Sequence, residues 1–333
     1  MKNKSILITG GTGSLGKALT SYILKTYPEV SRLVIFSRDE QKQFLMAQEY
    51  SEDKFPQVRF FIGDIRDKER LIRAFSNIDI VIHAAAMKHV HLAEYNPDEC
   101  VKTNVGGAQN VIDAALSTSV SNVVALSTDK ACAPVNLYGA TKLTSDKLFV
   151  AANNIKGSRK LKFSVVRYGN VFGSNGSVVP FFLKKIHEGI LPITDLNMTR
   201  FNITILQGVK MVIHAIENSW GGEIFIPKIP SYKITDMAKA IGPKCKLNVV
   251  GVRPGEKLHE EMISSSDSFN TYDLGKYYTI LPSRPNFNLT EFCSFFDAEK
   301  VEQGFSYNSL ENLEWETEET LKVLLADYQN YVK

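Results

Sequence analysis

The sequence predicts an α/β fold: a doubly wound parallel sheet with a smaller C-terminal lobe. Three observations point that way. Short apolar runs, nearly continuous, recur through the first half of the chain. A longer stretch with helical spacing follows each of them, as in "GKALTSYILKTY" and "GAQNVIDAALSTS". A glycine-rich turn joins the first run to the first such stretch. Strands that are apolar along their length belong to a sheet covered on both faces, and strand–helix alternation makes such a sheet parallel.

In chain order the predicted strands are "SILIT" (5–9), "LVIF" (33–36), "VRFFIG" (58–63), "DIVIHAA" (79–85) and "NVVALST" (122–128). "KFSVVRYGNV" (162–171) is a sixth and "GEIFIP" (222–227) a seventh. The alternation breaks down after about residue 171, where "FGSNGSVVP" and "LPITDLNMTRFN" are rich in loop residues. Helical spacing returns at 205–218. From 231 the pattern is mixed, with turns at "RPGEK" and "LPSRP", and 311–333 reads as a closing helix with an acidic, solvated face. The expected division is a first domain of residues 1–171 plus about 203–228, and a lobe of residues 172–202 and 229–333.

The chain has 333 residues, 44% of them hydrophobic, enough for a large domain plus a smaller one. A formal net charge of +3, with no long run of Lys or Arg, leaves no footprint for nucleic acid or an anionic membrane surface. The opening "MKNKSILITGG" does not read as a signal peptide, and no segment reaches the roughly 18 apolar residues that span a bilayer. A soluble, cytoplasmic protein is expected. Cys100, Cys132, Cys245 and Cys293 are scattered without metal-type spacing, so free thiols and no metal site are expected.

"ILITGGTGSLGKAL" sets Gly10, Gly11, Gly13 and Gly16 between the first strand and the first helix, with Thr12, Ser14 and Leu15 on the same turn. Glycines there permit a tight turn and let a pyrophosphate approach backbone N–H groups at the positive end of a helix. That predicts a Rossmann-type dinucleotide site. At the end of the second strand, Ser37 and Arg38 are followed one turn later by Lys42. Two cations suit a ribose 2′-phosphate better than a hydroxyl, so NADP is favoured over NAD, although Asp39 and Glu40 also stand near. After the third strand, Asp64 and Ile65 are placed to meet an adenine edge; Asp64 reads equally well as a helix N-cap.

Tyr138 and Lys142 are four residues apart and share one face of a helix. A lysine ammonium near a phenol lowers the phenol pKa, which suits it to take a proton from an alcohol as hydride leaves. Ahead of this pair, directly after the fifth strand, Asp129 and Lys130 set an acid beside a base. In isolation that dipeptide reads as solvated loop charge. At the C-terminal end of a parallel strand, where ligands gather, it reads as chemistry. Neighbouring side chains of an extended segment point apart, so separate roles are expected for the two. His83, His89 and His91 are not counted among the site residues; His83, before "AAA", reads as a core histidine.

With these residues in hand, the sequence resembles the extended short-chain dehydrogenase/reductase family, through "TGGTGSLG" (9–16), "HAAA" (83–86) and "YGATK" (138–142). Within it, "FSRDEQKQ", "IGDIRD", "HAAAMKHVHLAEYNPDECVKTN", "LSTDKA", "NLYGATKL", "RYGNV", "ITDLNMTRF", "GGEIFIPKIPS" and "RPGEKLHE" stand in the order found in inverting UDP-N-acetylglucosamine 4,6-dehydratases. The resemblance implies a lyase of bacterial surface-sugar biosynthesis, of the pseudaminic acid type, with NADP tightly bound and recycled in each turnover. It implies oxidation at carbon 4 of the sugar, then loss of water across carbons 5 and 6.

By that likeness Lys130 is the base at carbon 5, Asp129 the acid for the carbon 6 hydroxyl, and Thr128 the hydroxyl partner of Tyr138. Ala84, Ala85, Lys88, Asn104 and Tyr168 join the cofactor side. Lys88, Asn170, Val178, Pro180, Thr194, Met198, Arg200, Arg253 and Glu256 line the UDP-sugar side. A homo-oligomer, from dimer to hexamer, is implied. The chain departs from the pattern at Ser174, Asn175 and Gly176, where an arginine is common, and at Asn202, where tryptophan is common. A GDP-linked N-acetylglucosamine therefore stays open as substrate, and a nucleotide-sugar 4-epimerase is the alternative activity.

Overall fold

A computed structural model of the chain describes residues 1–174, 176–283 and 287–332. Six strands open it: β1 (Ser5–Thr9), β2 (Arg32–Ser37), β3 (Val58–Ile62), β4 (Ile80–His83), β5 (Asn122–Leu126) and β6 (Lys162–Val166). They pair in parallel in the order β3-β2-β1-β4-β5-β6, and the strand Ile224–Pro227 continues the parallel array beside β6. The order reverses between β1 and β4. That switch point opens a crevice at the C-terminal ends of those strands, the expected ligand position in a doubly wound sheet.

Both faces of the sheet are covered, which is why its strands are apolar throughout. Ile6 and Ile8 of β1 pack with Leu19 and Ile23 of the helix Ser14–Thr26 and with Val212 of the helix Ile205–Asn218. Leu7, between them, packs on the other face with Leu71, Val111 and Phe149. The helix Ile205–Asn218 is fixed by a reciprocal cap. Thr204 accepts the Gln207 N–H at 3.2 Å, and the Gln207 side chain accepts the Thr204 N–H at 2.8 Å.

The predicted sixth strand divides. β6 ends at Val166, and the short strand Asn170–Val171 joins a separate three-stranded sheet with Thr199–Ile203 and Ser231–Lys233. The chain turns through 167–169 because Gly169 meets Phe201: a Cβ there would stand 2.5 Å from the Phe201 Cβ. Helices Val178–Lys185, Ile234–Ile241 and Glu318–Val332 enclose a further core around Phe182, Leu191, Met237 and Leu321. The stretch 271–300, which the sequence reading assigns to the lobe, runs back to the central sheet. Tyr277–Ile280, Thr271–Asp273 and Glu299–Lys300 extend its edge in antiparallel fashion. The closing helix starts at Glu318, later than 311, because the stretch before it lies along the lobe: Trp315 bridges Ser231, and Ser231 N–H donates to the Glu314 carbonyl at 2.9 Å. Asn175, and residues 284 and 285 of the "LPSRP" turn, lie outside the described residues. Among the described residues no helix is long and apolar enough to cross a membrane.

Candidate active site

The crevice at the switch point has the shape a pyrophosphate needs. Gly10 sits at φ +65°, and a Cβ there would stand 2.8 Å from the Ala85 nitrogen. The turn and the loop after β4 are therefore in close contact, with Ala84 and Ala85 as the facing wall. Gly13 caps the helix Ser14–Thr26 without a side-chain bond, and no acid stands in its first turn. Its first N–H groups are left for an anion, at the positive end of the helix dipole. Ser14 is exposed at this helix start, while Leu15 turns toward the core. Thr12 donates to Ser37 Oγ at 3.0 Å, tying the turn to the end of β2.

Beyond Ser37, the two expected cations each face a carboxylate: Arg38 stands 3.8 Å from Asp64, and Lys42 stands 2.7 Å from Asp39. Asp64 does not cap the next helix; Asp67 does, accepting the Arg70 N–H at 2.9 Å. Asp64 instead grips Arg66 at 2.8 Å. Burial works to raise its pKa, but Arg66 and Arg38 bring it below the ordinary value. The Ile65 side chain is buried against Gly107.

At the end of β5 the chain does not stay extended. The Thr128 hydroxyl accepts the Lys130 N–H at 3.4 Å and caps a single tight turn over Asp129–Ala131. That turn brings together the two side chains expected to diverge: Lys130 Nζ is 3.0 Å from Asp129 Oδ1. The Thr128 hydroxyl donates to the same oxygen at 2.8 Å. Asp129 Oδ2 is buried without a partner among the described residues. Burial pushes the Asp129 pKa up, and Glu260 adds to this against the pull of Lys130.

Glu260 is the residue the sequence reading missed. It is 2% exposed, and its Oε1 lies 3.2 Å from Lys130 Nζ and 3.6 Å from Arg200 Nε. Burial alone would lower the Lys130 pKa; Asp129 and Glu260 together outweigh it and hold the pKa above the ordinary lysine value. The only sequence signal was an acid closing "RPGEKLHE", with nothing to say that it turns inward. Arg200, placed by the resemblance on the UDP-sugar side, donates through its guanidinium to the carbonyls of Thr199 at 2.7 Å, Leu258 at 3.1 Å and Lys257 at 3.0 Å, bracing the loop that carries Glu260.

Tyr138 and Lys142 lie on the helix Leu137–Ile155, capped by the Asn136 side chain, which accepts the Gly139 N–H at 2.7 Å. The expected effect of Lys142 on the phenol is not what this structure has. Lys142 Nζ donates to the Leu126 carbonyl at 2.6 Å, and burial lowers its pKa. Burial pushes the Tyr138 phenol up to about 12; Lys130 and the Thr128 hydroxyl pull the other way. Below this pair lies a buried network that the sequence did not announce. Asp146 accepts from Ser127 at 2.7 Å and pairs with Arg167 at 3.2 Å. His83 is a core histidine, 2.8 Å from the Thr9 hydroxyl, and its pKa falls to about 3 through burial.

The remaining expected residues divide. Asn104 sits in a single wide, π-type turn over Lys102–Gly106. It clasps the Met87 backbone at 2.8 and 3.0 Å. It thereby holds the loop carrying Lys88, whose pKa is pushed down by partial burial. The Tyr168 carbonyl accepts the Asp129 N–H at 3.0 Å. Val178 and Pro180 form the first turn of the helix Val178–Lys185, and Thr194 follows the strand Ile190–Ile193. Met198 is 2% exposed inside the lobe's core, because its side chain fills the space around Ile193 and Tyr232. The 253–256 loop is tied to the Tyr138 helix, since the Asn136 side chain donates to the Gly255 carbonyl at 2.7 Å. Arg253 stands 3.9 Å from Glu256. Asn170 Oδ1 and Glu256 Oε2 are buried without partners among the described residues.

The chain matches the family model described as "Polysaccharide biosynthesis protein" over residues 6–282. It is 56% identical to a UDP-N-acetylglucosamine 4,6-dehydratase (inverting) of Campylobacter jejuni, over 98% of this chain and 99% of that one. It is 39% identical to a UDP-glucose 4-epimerase of Rickettsia canadensis, over 99% of this chain and 97% of that one. The solved structure of Pen from Bacillus thuringiensis aligns with a TM-score of 0.88 at 38% identity, covering 98% of each chain. The extent of these matches and the dinucleotide-type crevice agree: the chain belongs to the polysaccharide biosynthesis protein family, within the extended short-chain dehydrogenases/reductases.

Proposed function

We propose that this chain is a hydro-lyase: it carries out NADP-dependent 4,6-dehydration of UDP-N-acetylglucosamine with inversion at carbon 5. The product would be a UDP-4-keto-6-deoxy-L-sugar for surface glycans of the pseudaminic acid type. The observation that carries the reading is the Asp129–Lys130 pair, its carboxylate buried and its amine partly open, 3.0 Å apart at the end of β5 and electrostatically linked to Tyr138. A 4-epimerase needs Tyr138 and Lys142 but has no work for an acid–base pair. The 56% identity to a relative named as the inverting dehydratase supports the same choice.

A bound nicotinamide dinucleotide would supply the hydride chemistry, acceptance from carbon 4 and return to carbon 6. Arg38 and Lys42, at the mouth of β2, favour its phosphorylated form. Tyr138, with Thr128 beside it, takes the proton of the carbon 4 hydroxyl. The ketone so formed acidifies carbon 5. Lys130 takes that proton, the C5–H electrons form the C5=C6 bond, and the C6–O bond breaks. Asp129 gives its proton to the departing hydroxide, which leaves as water. Oδ2 is the oxygen suited to carry that proton, because Oδ1 already accepts from Thr128 and Lys130. Net transfer of one proton from Lys130 to Oδ2 of Asp129 restores both groups. Hydride return to carbon 6 needs one proton at carbon 5, balanced by the one Tyr138 took from the carbon 4 hydroxyl and now gives up; inversion means that it arrives on the opposite face.

Lys88, Asn170, Val178, Pro180, Thr194, Arg253 and Glu256 are read as the nucleotide-sugar side, and the unpartnered oxygens of Asn170 and Glu256 support this. We read residues 1–171 with about 203–228, extended by the edge strands of 271–300, as the cofactor domain and the rest of 172–202 and 229–333 as the sugar side, in a cytoplasmic homo-oligomer. The test is to incubate the protein with UDP-N-acetylglucosamine and follow mass and proton NMR. Loss of one water with a 4-keto, 6-deoxy product supports the reading. An isomer of unchanged mass replaces it with the epimerase. Turnover of a GDP sugar alone replaces the nucleotide.

A further inference from the structure

The Asp129–Lys130 pair has a third member with no role in the scheme above. Glu260 comes from the loop after the "RPGEK" turn and is held there by both ends of its backbone. Its N–H donates to Ser309 Oγ at 2.9 Å, and its carbonyl accepts the Ser309 N–H at 2.8 Å. Ser309 Oγ is in turn 2.7 Å from the Thr199 hydroxyl. The carboxylate therefore has a fixed address, and Lys130, with Arg200 3.6 Å away, holds its pKa below the ordinary value against burial.

A neutral lysine amine has two N–H donors and one lone pair, and it is the lone pair that takes a proton. In this structure Lys130 Nζ faces two carboxylate oxygens, Asp129 Oδ1 at 3.0 Å and Glu260 Oε1 at 3.2 Å. Both partners are closed off from solvent, with side chains 1% and 3% exposed, while Lys130 keeps 24% of its side chain open. We infer that Glu260 is a positioning residue for Lys130: with Asp129 it engages both N–H bonds of the neutral amine and leaves the lone pair one direction, out into the pocket. This rests on the dehydratase reading and adds to it a residue from the opposite lobe, so that the base is aimed only when the two lobes are together.

Glu260 has a second effect that a mere packing role lacks. Its negative charge raises the proton affinity of Lys130 and of Asp129 alike. The other groups facing Lys130 are Arg200, Tyr138 and Tyr232. Removing the Glu260 charge makes both members of the pair release protons at lower pH, so both limbs of the pH–rate profile move to the acid side.

The experiment uses the full chain with NADP and UDP-N-acetylglucosamine. It follows reduced-nicotinamide absorbance for oxidation at carbon 4 and deuterium uptake from solvent for exchange at carbon 5. If the wild type shows no dehydration, the dehydratase reading fails, whatever Glu260 does. If the wild type dehydrates, Glu260→Gln is expected to keep cofactor reduction while carbon 5 exchange drops about a hundredfold, the usual cost of a misaligned reacting group. Its profile moves acidward by about one pH unit or more. Glu260→Asp keeps the charge and shortens the reach; it loses exchange with both limbs unmoved, and it decides the matter should Glu260→Gln not fold. Wild-type exchange in either variant, or a lower rate in Glu260→Gln with unmoved limbs, overturns the proposal.

Discussion

Asp129 and Glu260, carboxylates from opposite lobes, share one ammonium, with Lys130 Nζ 3.0 Å from the first and 3.2 Å from the second. Arg200 completes the group beside Glu260. Two cations and two carboxylates make the cluster neutral, so it can be buried. The reactive arrangement, a protonated Asp129 beside a neutral Lys130, holds the same number of protons as the ion pair. The two forms differ only in which of the two residues holds one proton, with no net exchange with solvent.

Removing the shared cation exposes what it neutralises. Lys130→Met leaves Asp129 and Glu260 buried with like charge, a loss of about 3–5 kcal/mol at neutral pH. Asp129 then binds a proton in the folded state that the unfolded chain releases near a pH of about 4. A carboxyl with a raised folded pKa stabilises most at low pH, and that contribution fades as pH rises. The stability deficit of Lys130→Met should therefore be larger at pH 8 than at pH 5. Thermal melts across that range check it, and a deficit independent of pH contradicts it. The same variant should bind NADP normally and give no carbon 5 exchange.

Burial leaves the Tyr138 phenol a poor base in the free chain, with its pKa raised to about 12. Its activation is left to a cationic nicotinamide and to Lys130. Ultraviolet titration of wild type against Tyr138→Phe should show no phenolate from Tyr138 up to a pH of about 10. Tyr138→Phe should also lower carbon 4 oxidation by about 10²–10⁴-fold while dinucleotide binding is kept. A phenolate signal near neutral pH in the free chain would contradict the burial argument.

What the sequence made legible follows from what each feature depends on. β1 to β5 and the glycine turn are local: an apolar run or a glycine at a fixed offset carries its own structural cause, and these elements stand where expected. Tyr138 and Lys142 share a helix face because spacing alone decides it. Asp129 and Lys130 were legible as residues but not as a pair, because a single Thr128 cap turns an extended segment into a tight turn. Glu260 and Arg200 were not legible as partners at all. Their meeting with Lys130 joins three stretches distant in sequence, and burial of a charge leaves no periodic trace. The edge strands 271–300 were missed for a related reason: short antiparallel strands at a sheet margin lack the continuous apolar run of a central strand.

Cofactor choice rests on the surface beyond β2. Arg38 and Lys42 are each paired with an acid there, Asp64 and Asp39. A 2′-phosphate would have to draw them away from these partners. Each pair is exposed and worth little, so giving it up costs little. Arg38→Ala should weaken NADP binding by about 10–100-fold, the usual effect of losing one charge-assisted hydrogen bond, and change NAD binding much less. Titration of protein fluorescence with the two dinucleotides measures the ratio. An equal loss for both would assign Arg38 to the adenine or to folding, and NAD would then be the better choice.

His83 supplies a pH dependence that has nothing to do with catalysis. It lies on β4, 2% exposed, against the Thr9 hydroxyl and the Phe149 ring. Burial, followed by the nearby Lys142 charge, lowers its pKa from 6.5 to about 3. Between those values the unfolded chain binds a proton that the folded chain refuses. The neutral imidazole thus costs nothing above a pH of about 6.5, and stability falls steadily as the pH drops toward 3. At about 1.4 kcal/mol per unit, the loss approaches about 5 kcal/mol at the acid end. His83→Gln keeps a polar partner for Thr9 without the titration. It should be less stable than the wild type at pH 7 yet lose less on going to pH 4.5, so the two curves of thermal midpoint against pH converge. Parallel curves would mean that His83 takes up its proton in the folded state, and that the pocket between β1 and β4 opens to water more readily than its packing implies.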